Sequence, residues 1–317
     1  MKVRTFGRMA LAVWLLVLVS AVPTFAQVFE AVGSRALGMG GAFVAVASDS
    51  SASWWNPAGL ADGPFVDLAF ARAVTERLEP LPGSRDRASW FALGTPPLGV
   101  SLYRLRITDI AARPTTAEAQ GGREDRTAGT ASGSSSVSQL GVTLLRTVLP
   151  GVHAGSTIKY VRGTPEGGKT DGRVDLDVGV LAVGGPLRLG AVVRNLREEA
   201  TSPAPGHLPR QVRFGAAVEL AAAGGPPTTI AIDGDARSYE TAAGRRGVIA
   251  VGAEQWLLAR RLGVRAGGRF NRVGAKERSA TGGVSVGIRS GAYLEAHVVG
   301  GGSPEERGWG VALRVSY

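Results

Sequence analysis

The stretch Gln211–Leu220 reads QVRFGAAVEL. Val212, Phe214, Ala216, Val218 and Leu220 alternate with Arg213, Gly215, Ala217 and Glu219. A period of two puts successive side chains on opposite faces of an extended strand, here one apolar face and one polar face. The pattern returns along the chain. Val174, Leu176, Val178 and Val180 alternate with Asp175, Asp177 and Gly179, and Val311, Leu313, Val315 and Tyr317 alternate with Ala312, Arg314 and Ser316. Fourteen such strands are predicted, at 65–74, 87–94, 98–107, 136–146, 151–162, 173–183, 187–196, 210–220, 228–237, 247–257, 262–271, 279–288, 292–299 and 308–317. Most match the roughly 9–11 residues with which a tilted strand crosses a bilayer, whereas strands of soluble proteins average about 5–6. No helical period competes with them.

The connections carry a second signal. Every other one is short, at 95–97, 147–150, 184–186, 221–227, 258–261 and 289–291. The rest are longer, apart from 272–278, which ties at seven residues with 221–227, and the longest, 108–135, is rich in Gly, Ser, Thr and Ala and reads as an exposed loop. Short turns at one end and long loops at the other, with an even strand count, are the signature of an outer-membrane β-barrel whose chain ends lie at the periplasm. A sheet in hydrocarbon must close, because a free edge finds no hydrogen-bond partner there. The expectation is therefore an all-β fold, a transmembrane antiparallel barrel of about fourteen strands spanning 65–317.

The charges inside the strands fit that topology. Asp175, Asp177, Arg188, Arg194, Arg213, Glu219, Asp233, Asp235, Glu254, Arg265, Arg269, Glu295 and Arg314 all fall on the face opposite the apolar one, which is the lumen face of a barrel. A lipid-facing arginine at the bilayer midplane would cost about 2–4 kcal/mol. Two residues, Arg72 and Arg104, break the pattern by sharing the apolar face, each near a strand end. Tyr160, Phe270, Trp309 and Tyr317 lie near strand ends as interface aromatics do, and Trp256 falls on the lumen face. The alternative, a secreted β-sandwich or propeller, calls for a dry core, and aromatics are only 6% of the chain.

Composition removes other classes. The 317 residues include no Cys, so there is no disulfide framework, thiol nucleophile or thiolate metal site. The three histidines, His153, His207 and His297, are far apart and give no metal motif. A net charge of +10 suits nucleic acid in principle, yet the charges are scattered singly without a basic run, so no nucleic-acid partner is expected. Neither a cofactor nor a metal is expected. Residues 1–26 combine Lys2, Arg4 and Arg8, an apolar run from Ala10 to Val19 and small residues before a cut after Ala26. That is the grammar of a secretory signal peptide, and the apolar run is short of the roughly 20 residues of a spanning anchor.

Between signal and barrel lies a segment without alternation, 27–64. It contains Gly38-Met39-Gly40-Gly41 and Asn56-Pro57-Ala58. A nucleotide-binding reading of the glycines would need a strand before and a helix after inside a βαβ unit, and neither context exists. Small residues suit close packing inside something, and Asn-Pro is a turn signal. The stretch Ser34–Ala61, SRALGMGGAFVAVASDSSASWWNPAGLA, resembles the N-terminal signature of the PorV/PorQ-like outer-membrane proteins, which are related to FadL. Leu187–Leu196 (LRLGAVVRNL), Leu208–Val218 (LPRQVRFGAAV), Val251–Leu257 (VGAEQWL) and Val264–Phe270 (VRAGGRF) resemble that family's later strands in the same order. One departure is Asp49-Ser50, where the family usually doubles the acid.

The resemblance implies fourteen strands and an N-terminal hatch, here 27–64, that plugs the lumen. Gly38, Gly40, Gly41, Asn56, Pro57 and Ala58 would then belong to a hatch motif, locking the hatch to the wall or gating it. It also implies a non-enzymatic role in transport or protein export across the bacterial outer membrane, with secreted proteins bound in the PorV manner. Passive transport of small hydrophobic molecules in the FadL manner and a structural surface barrel with interaction loops remain as alternatives. Expected partners are outer-membrane lipid, the barrel-assembly machinery through the strand ending at Tyr317, and secreted proteins or a hydrophobic small molecule. Two constellations with chemistry remain: Ser285 with Glu295 and His297 for hydrolysis, and Asp233, Asp235 and Glu254 for a cation. Both also read as lumen charge networks, since buried unlike charges pair.

Overall fold

The structure, a computed structural model, describes residues 32–76, 85–112, 130–164, 169–197, 208–241, 244–302 and 307–317. The signal-peptide residues 1–26 and the first part of the expected hatch, 27–31, lie outside them. Among the described residues sixteen strands form. They are β1 Asp67–Glu76, β2 Arg85–Thr95, β3 Leu98–Ala112, β4 Thr130–Leu149, β5 Val152–Thr164, β6 Asp171–Gly184, β7 Leu187–Arg194, β8 Gln211–Glu219, β9 Thr228–Asp235, β10 Tyr239–Thr241, β11 Gly244–Arg246, β12 Val248–Leu257, β13 Leu262–Asn271, β14 Arg278–Arg289, β15 Ala292–Gly301 and β16 Gly308–Ser316. All except β10 and β11 join one closed barrel in which each strand pairs with its neighbour in sequence and β1 pairs with β16.

These fourteen wall strands are the fourteen expected from alternation, with ends shifted by a few residues. Two differences concern the long connections. The loop expected at 108–135 is strand at both its ends, because β3 and β4 keep pairing up to Ala112↔Thr130, and its middle, 113–129, lies outside the described residues. Gly, Ser and Thr carry no alternation of size or polarity, so the ladder there is written in backbone bonds and leaves no side-chain trace. The loop expected at 238–246 contains the separate hairpin β10–β11.

Polarity is reversed relative to a soluble β-protein. Outward residues such as Phe70, Leu102, Leu189, Phe214, Ile232 and Leu294 are exposed, whereas inward Asp177, Lys159, Arg213, Glu254 and Glu295 are buried. A hydrocarbon surroundings makes that arrangement stable and water would not. This excludes the sandwich and propeller alternatives.

Residues Val32–Gly63 lie inside the cylinder and are almost wholly buried. They form α1 (Ser34–Gly38), α2 (Ala52–Trp55) and a 3-10 turn (Pro57–Asp62). No stretch of this plug is long enough to stand alone as a helix. The surrounding wall holds it, and glycines set how closely. A Cβ built on Gly179 would lie 2.1 Å from Asn56 Oδ1, one on Gly252 2.3 Å from the Met39 carbonyl oxygen, one on Gly155 2.5 Å from the Pro57 carbonyl carbon, and one on Gly190 2.6 Å from the Val44 carbonyl oxygen. All four are inward positions on different strands. Plug glycines reciprocate. Gly40 and Gly41 turn the chain with φ of +69° and +81°, where a side chain is strained, and a Cβ on Gly40 would also meet the Gly268 backbone nitrogen at 2.7 Å. Backbone therefore touches backbone across the plug–wall interface.

The apolar core is centred on the plug and also takes in Ala217 of β8, Ala231 of β9, Ala250 of β12 and Ala312 of β16. Met39, Phe43, Trp54 and Trp55 of the plug pack in a single buried cluster with Ala69, Ala71 and Ala73 of β1, Ala88, Trp90 and Ala92 of β2 and Tyr103 of β3.

Substituting Gly252 with Ala should lower the unfolding midpoint of the detergent-folded barrel in urea, by a cost of about 1–3 kcal/mol for overpacking. Gly234, which faces outward with nothing within 4 Å of a built Cβ, should accept Ala with a change below about 0.5 kcal/mol. Equal effects at the two positions would show that the plug does not press on the wall.

Candidate functional site

The polar lumen and the plug surface facing it divide into four groups. The largest joins the plug to β12, β13, β15, β16 and β1. Arg35 of α1 donates from Nη2 to Glu254 Oε1 at 2.7 Å and from Nε to Glu254 Oε2 at 2.8 Å. Arg265 Nε reaches the same carboxylate at 2.6 Å. Arg314 lies between Glu295 at 3.3 Å, Asp67 at 3.7 Å and Asp49 at 3.8 Å, and Asp49 closes the ring to Arg35 at 3.4 Å. Burial alone would lower the pKa of the Arg35 guanidinium, but Glu254 first, then Asp49 and Glu295, hold it above its ordinary value, so it stays charged.

The second group lies under the long-loop end. Lys159 Nζ donates to Asp177 Oδ1 and to Asn195 Oδ1, each at 2.5 Å. Arg194 sits over the rings of Trp54 and Trp55, 5.6 and 5.4 Å from their centroids, and Trp54 stacks on Tyr103. In the third, Arg213 pairs with Asp235 at 2.7 Å, and Asp233 Oδ2 accepts the plug amides of Phe43 and Val44 at 2.7 and 2.8 Å. In the fourth, Arg188 Nε donates to the Ala45 carbonyl at 2.8 Å while Nη1 meets Asp62 and Glu219.

Each expected lumen residue has a definite place in this scheme. Asp175 Oδ1 accepts the amides of Leu176 and Arg197 at 2.7 and 3.0 Å, and Arg269 donates to Ser279 at 3.1 Å. Gly38 meets Gly283, with a built Cβ 3.0 Å from its Cα. Asn56 works as a staple. Its Nδ2 donates to Val44 O at 2.9 Å within the plug and to Val180 O at 3.0 Å on β6, and its Oδ1 accepts from Ala58 N at 3.2 Å. Pro57 follows as the first residue of the 3-10 turn, where its missing N–H costs nothing.

The two catalytic-looking constellations do not assemble. Ser285 Oγ donates to Glu295 Oε1 at 2.9 Å, but Glu295 is committed to Arg314, and among the described residues no hydrogen bond joins His297 to either. Asp233, Asp235 and Glu254 diverge to separate partners, namely plug amides, Arg213, and Arg35 with Arg265.

Arg35, Asp49 and Asp62 of the plug have no counterpart among the expected site residues, because a segment without period offers no face to assign. Lys159 and Asn195 were legible in principle: Lys159 has inward parity in β5, and Asn195 adopts φ 57° at the end of β7.

Outside the lumen, a concave apolar groove of about 600 Å³ crosses the outward face of β7, β8, β9, β12 and β13. Ala216, Ala253 and Ala266 form its floor between Leu187, Leu189, Ile230, Ile232 and Val251. The volume falls within the roughly 300–1,000 Å³ of small-molecule sites. Gly252 and Gly267 lie at the same stretch of wall with the plug backbone at Met39 against their inner side. One layer of backbone separates groove from plug there.

No protein-family model matches the chain, and no curated protein matches it. Among solved structures, the fold is similar to the CymD monoaromatic hydrocarbon channel, at 10% identity and TM-score 0.63 over 92% of this chain and 99% of that one. It is similar to a Pseudomonas aeruginosa FadL homologue, at 9% identity and TM-score 0.61 over 92% and 99%. It is also similar to the Pseudomonas putida toluene transporter TodX, at 10% identity and TM-score 0.55 over 92% and 98%. At such identities the likeness is one of architecture, that of FadL-type barrels. These likenesses add nothing to the narrower PorV/PorQ resemblance.

Glu254→Ala should cost about 3–5 kcal/mol of stability, since it strands Arg35 and Arg265 in a buried site. Urea unfolding of the purified barrel measures it, and a cost below about 1 kcal/mol would mean the lumen is wetter than the geometry says.

Proposed function

We infer that this protein is an outer-membrane barrel that passes small hydrophobic molecules. The observation that carries the reading is the contrast between lumen and outer wall. The lumen is filled by the plug and crossed by ion pairs, which suits neither an open aqueous pore nor an apolar solute held at its centre. The outer wall offers an apolar groove open to the bilayer, backed at Gly252 and Gly267 by a wall–plug contact one backbone layer thick. The likeness in fold to channels named for monoaromatic hydrocarbons and toluene supports the same class of solute. The plug would act as the gate, and Asn56 with the Arg35–Glu254 pair would set how firmly it is held.

Protein export is the second reading. It rests on the resemblance of Ser34–Ala61 to PorV/PorQ-like sequences, and the bound partner would be a secreted protein.

Uptake by cells producing the protein tests the first reading. A labelled monoaromatic probe should enter several-fold faster than in cells without it, and a hydrophilic sugar should not. Ala216→Phe with Ala253→Phe, which fills the groove from the lipid side, should return uptake to the background while the folded, heat-modifiable band persists. Equal entry of the sugar, or unchanged uptake by the filled variant, would contradict it. A secreted protein co-purifying from gently solubilised membranes, with no gain in hydrophobic uptake, would favour export.

A further inference from the structure

Arg72 and Arg104, the two arginines that share the apolar face, are part of a larger feature. The register of β1–β5 sets outward residues in horizontal rungs. One rung reads Phe70, Phe91, Leu102, Leu140 and Tyr160, each opposite the next. The rung above it, toward the long-loop end, reads Arg72, Ser89, Arg104, Ser138 and Arg162. The next holds Val74, Arg87, Arg106, Ser136 and Thr164. Five arginines and four hydroxyls thus stand on two successive rungs, immediately above an unbroken apolar one. Adjacent strands lie about 4.8 Å apart, so the patch is roughly 19 Å wide.

All five arginines are exposed and face outward. None makes an ion pair or hydrogen bond with a described residue, and neither rung contains a carboxylate. At the same height the inward side buries Leu105, Ile107, Val137 and Val161, with Asp86 opposite Ile107 and Gln139 opposite Val161. The outer face of the wall therefore changes from apolar to basic between the Phe70 rung and the Arg72 rung. An outward arginine is costly at the bilayer midplane and nearly free at the interface, so the change marks the upper boundary of the hydrocarbon on this side. On the far wall the outward Val193 pairs with Val212 and Ile249 with Phe270, and the outward Arg278 lies over the ring of Phe270.

We propose that Arg72, Arg87, Arg104, Arg106 and Arg162 bind the phosphate groups of a phosphorylated glycolipid in the leaflet at the long-loop end, with acyl chains resting on the Phe70–Tyr160 rung. Arginine is the residue suited to this, because its planar fork pairs with phosphate through two parallel hydrogen bonds and it stays charged at an interface. The interleaved serines supply neutral donors between the forks. A soluble anion would have no use for the apolar rung beneath, which selects the lipid as the source of the phosphate. This assignment rests on the outer-membrane reading and is independent of the solute carried.

The test uses the full chain purified in a neutral detergent. Flotation with neutral phosphatidylcholine vesicles first checks membrane insertion without any anionic lipid. Binding of bis-phosphorylated lipid A is then compared with its dephosphorylated form by native mass spectrometry. The wild-type should retain the phosphorylated lipid at least about tenfold better. Arg72→Gln with Arg104→Gln and Arg162→Gln, all outward, should lose that preference while still floating, whereas Arg278→Gln should keep it. Equal retention of the two lipids, an unchanged triple variant, or displacement of the lipid by an equal concentration of inorganic pyrophosphate would overturn the proposal. Failure of the wild-type to float would instead overturn the membrane reading beneath it.

Discussion

Hydrocarbon offers no partner to a backbone N–H or C=O, and the rest of this structure follows from that constraint. Fourteen strands close on themselves through the β1–β16 pairing, so no edge is left. Closure at this size encloses a lumen that must hold water, side chains or a further segment. Here Val32–Gly63 fills it, and the same rule applies a second time. The short helices of the plug leave amides and carbonyls unsatisfied at their ends, and the wall answers them. Asp233 takes the Phe43 and Val44 amides, Arg188 donates to Ala45, and Asn56 bridges Val44 to Val180.

Filling a cylinder with an irregular segment needs local room, and small residues supply it. Gly155, Gly179, Gly190 and Gly252 each mark a place where plug atoms approach wall backbone. The high glycine content, 46 of 317 residues, is in good part the imprint of that contact. Large outward side chains on the same strands compensate by meeting lipid. The arrangement holds the plug by contact over several strands and by charges that pair plug with wall.

Electrostatics divides the barrel by height and by face. Around the middle, carboxylates and arginines are sequestered inward and paired, and the outer surface is apolar. Toward the long-loop end of β1–β5 the outer face turns basic, with arginines outside and Leu105, Ile107 and Val137 inside. Alternation reveals the first pattern because it repeats on many strands. It flags the second only as two exceptions, Arg72 and Arg104. Arg87, Arg106 and Arg162 joined them once cross-strand register placed all five on adjoining rungs, since residues tens of positions apart in sequence become neighbours only through pairing.

Period-two alternation by itself determined the number of barrel strands, their approximate ends and the inward parity of residues such as Asp177, Arg213 and Glu254, because side-chain direction in a strand is a local property of the backbone. Resemblance of the N-terminal stretch added the expectation of a plug but not how it is held. Which charges meet, which glycines receive the plug, where the outward groove lies and how the arginines align were decided by tertiary structure alone. Each of those depends on the register between strands and on the path of a segment without periodicity, and a local pattern carries no record of either.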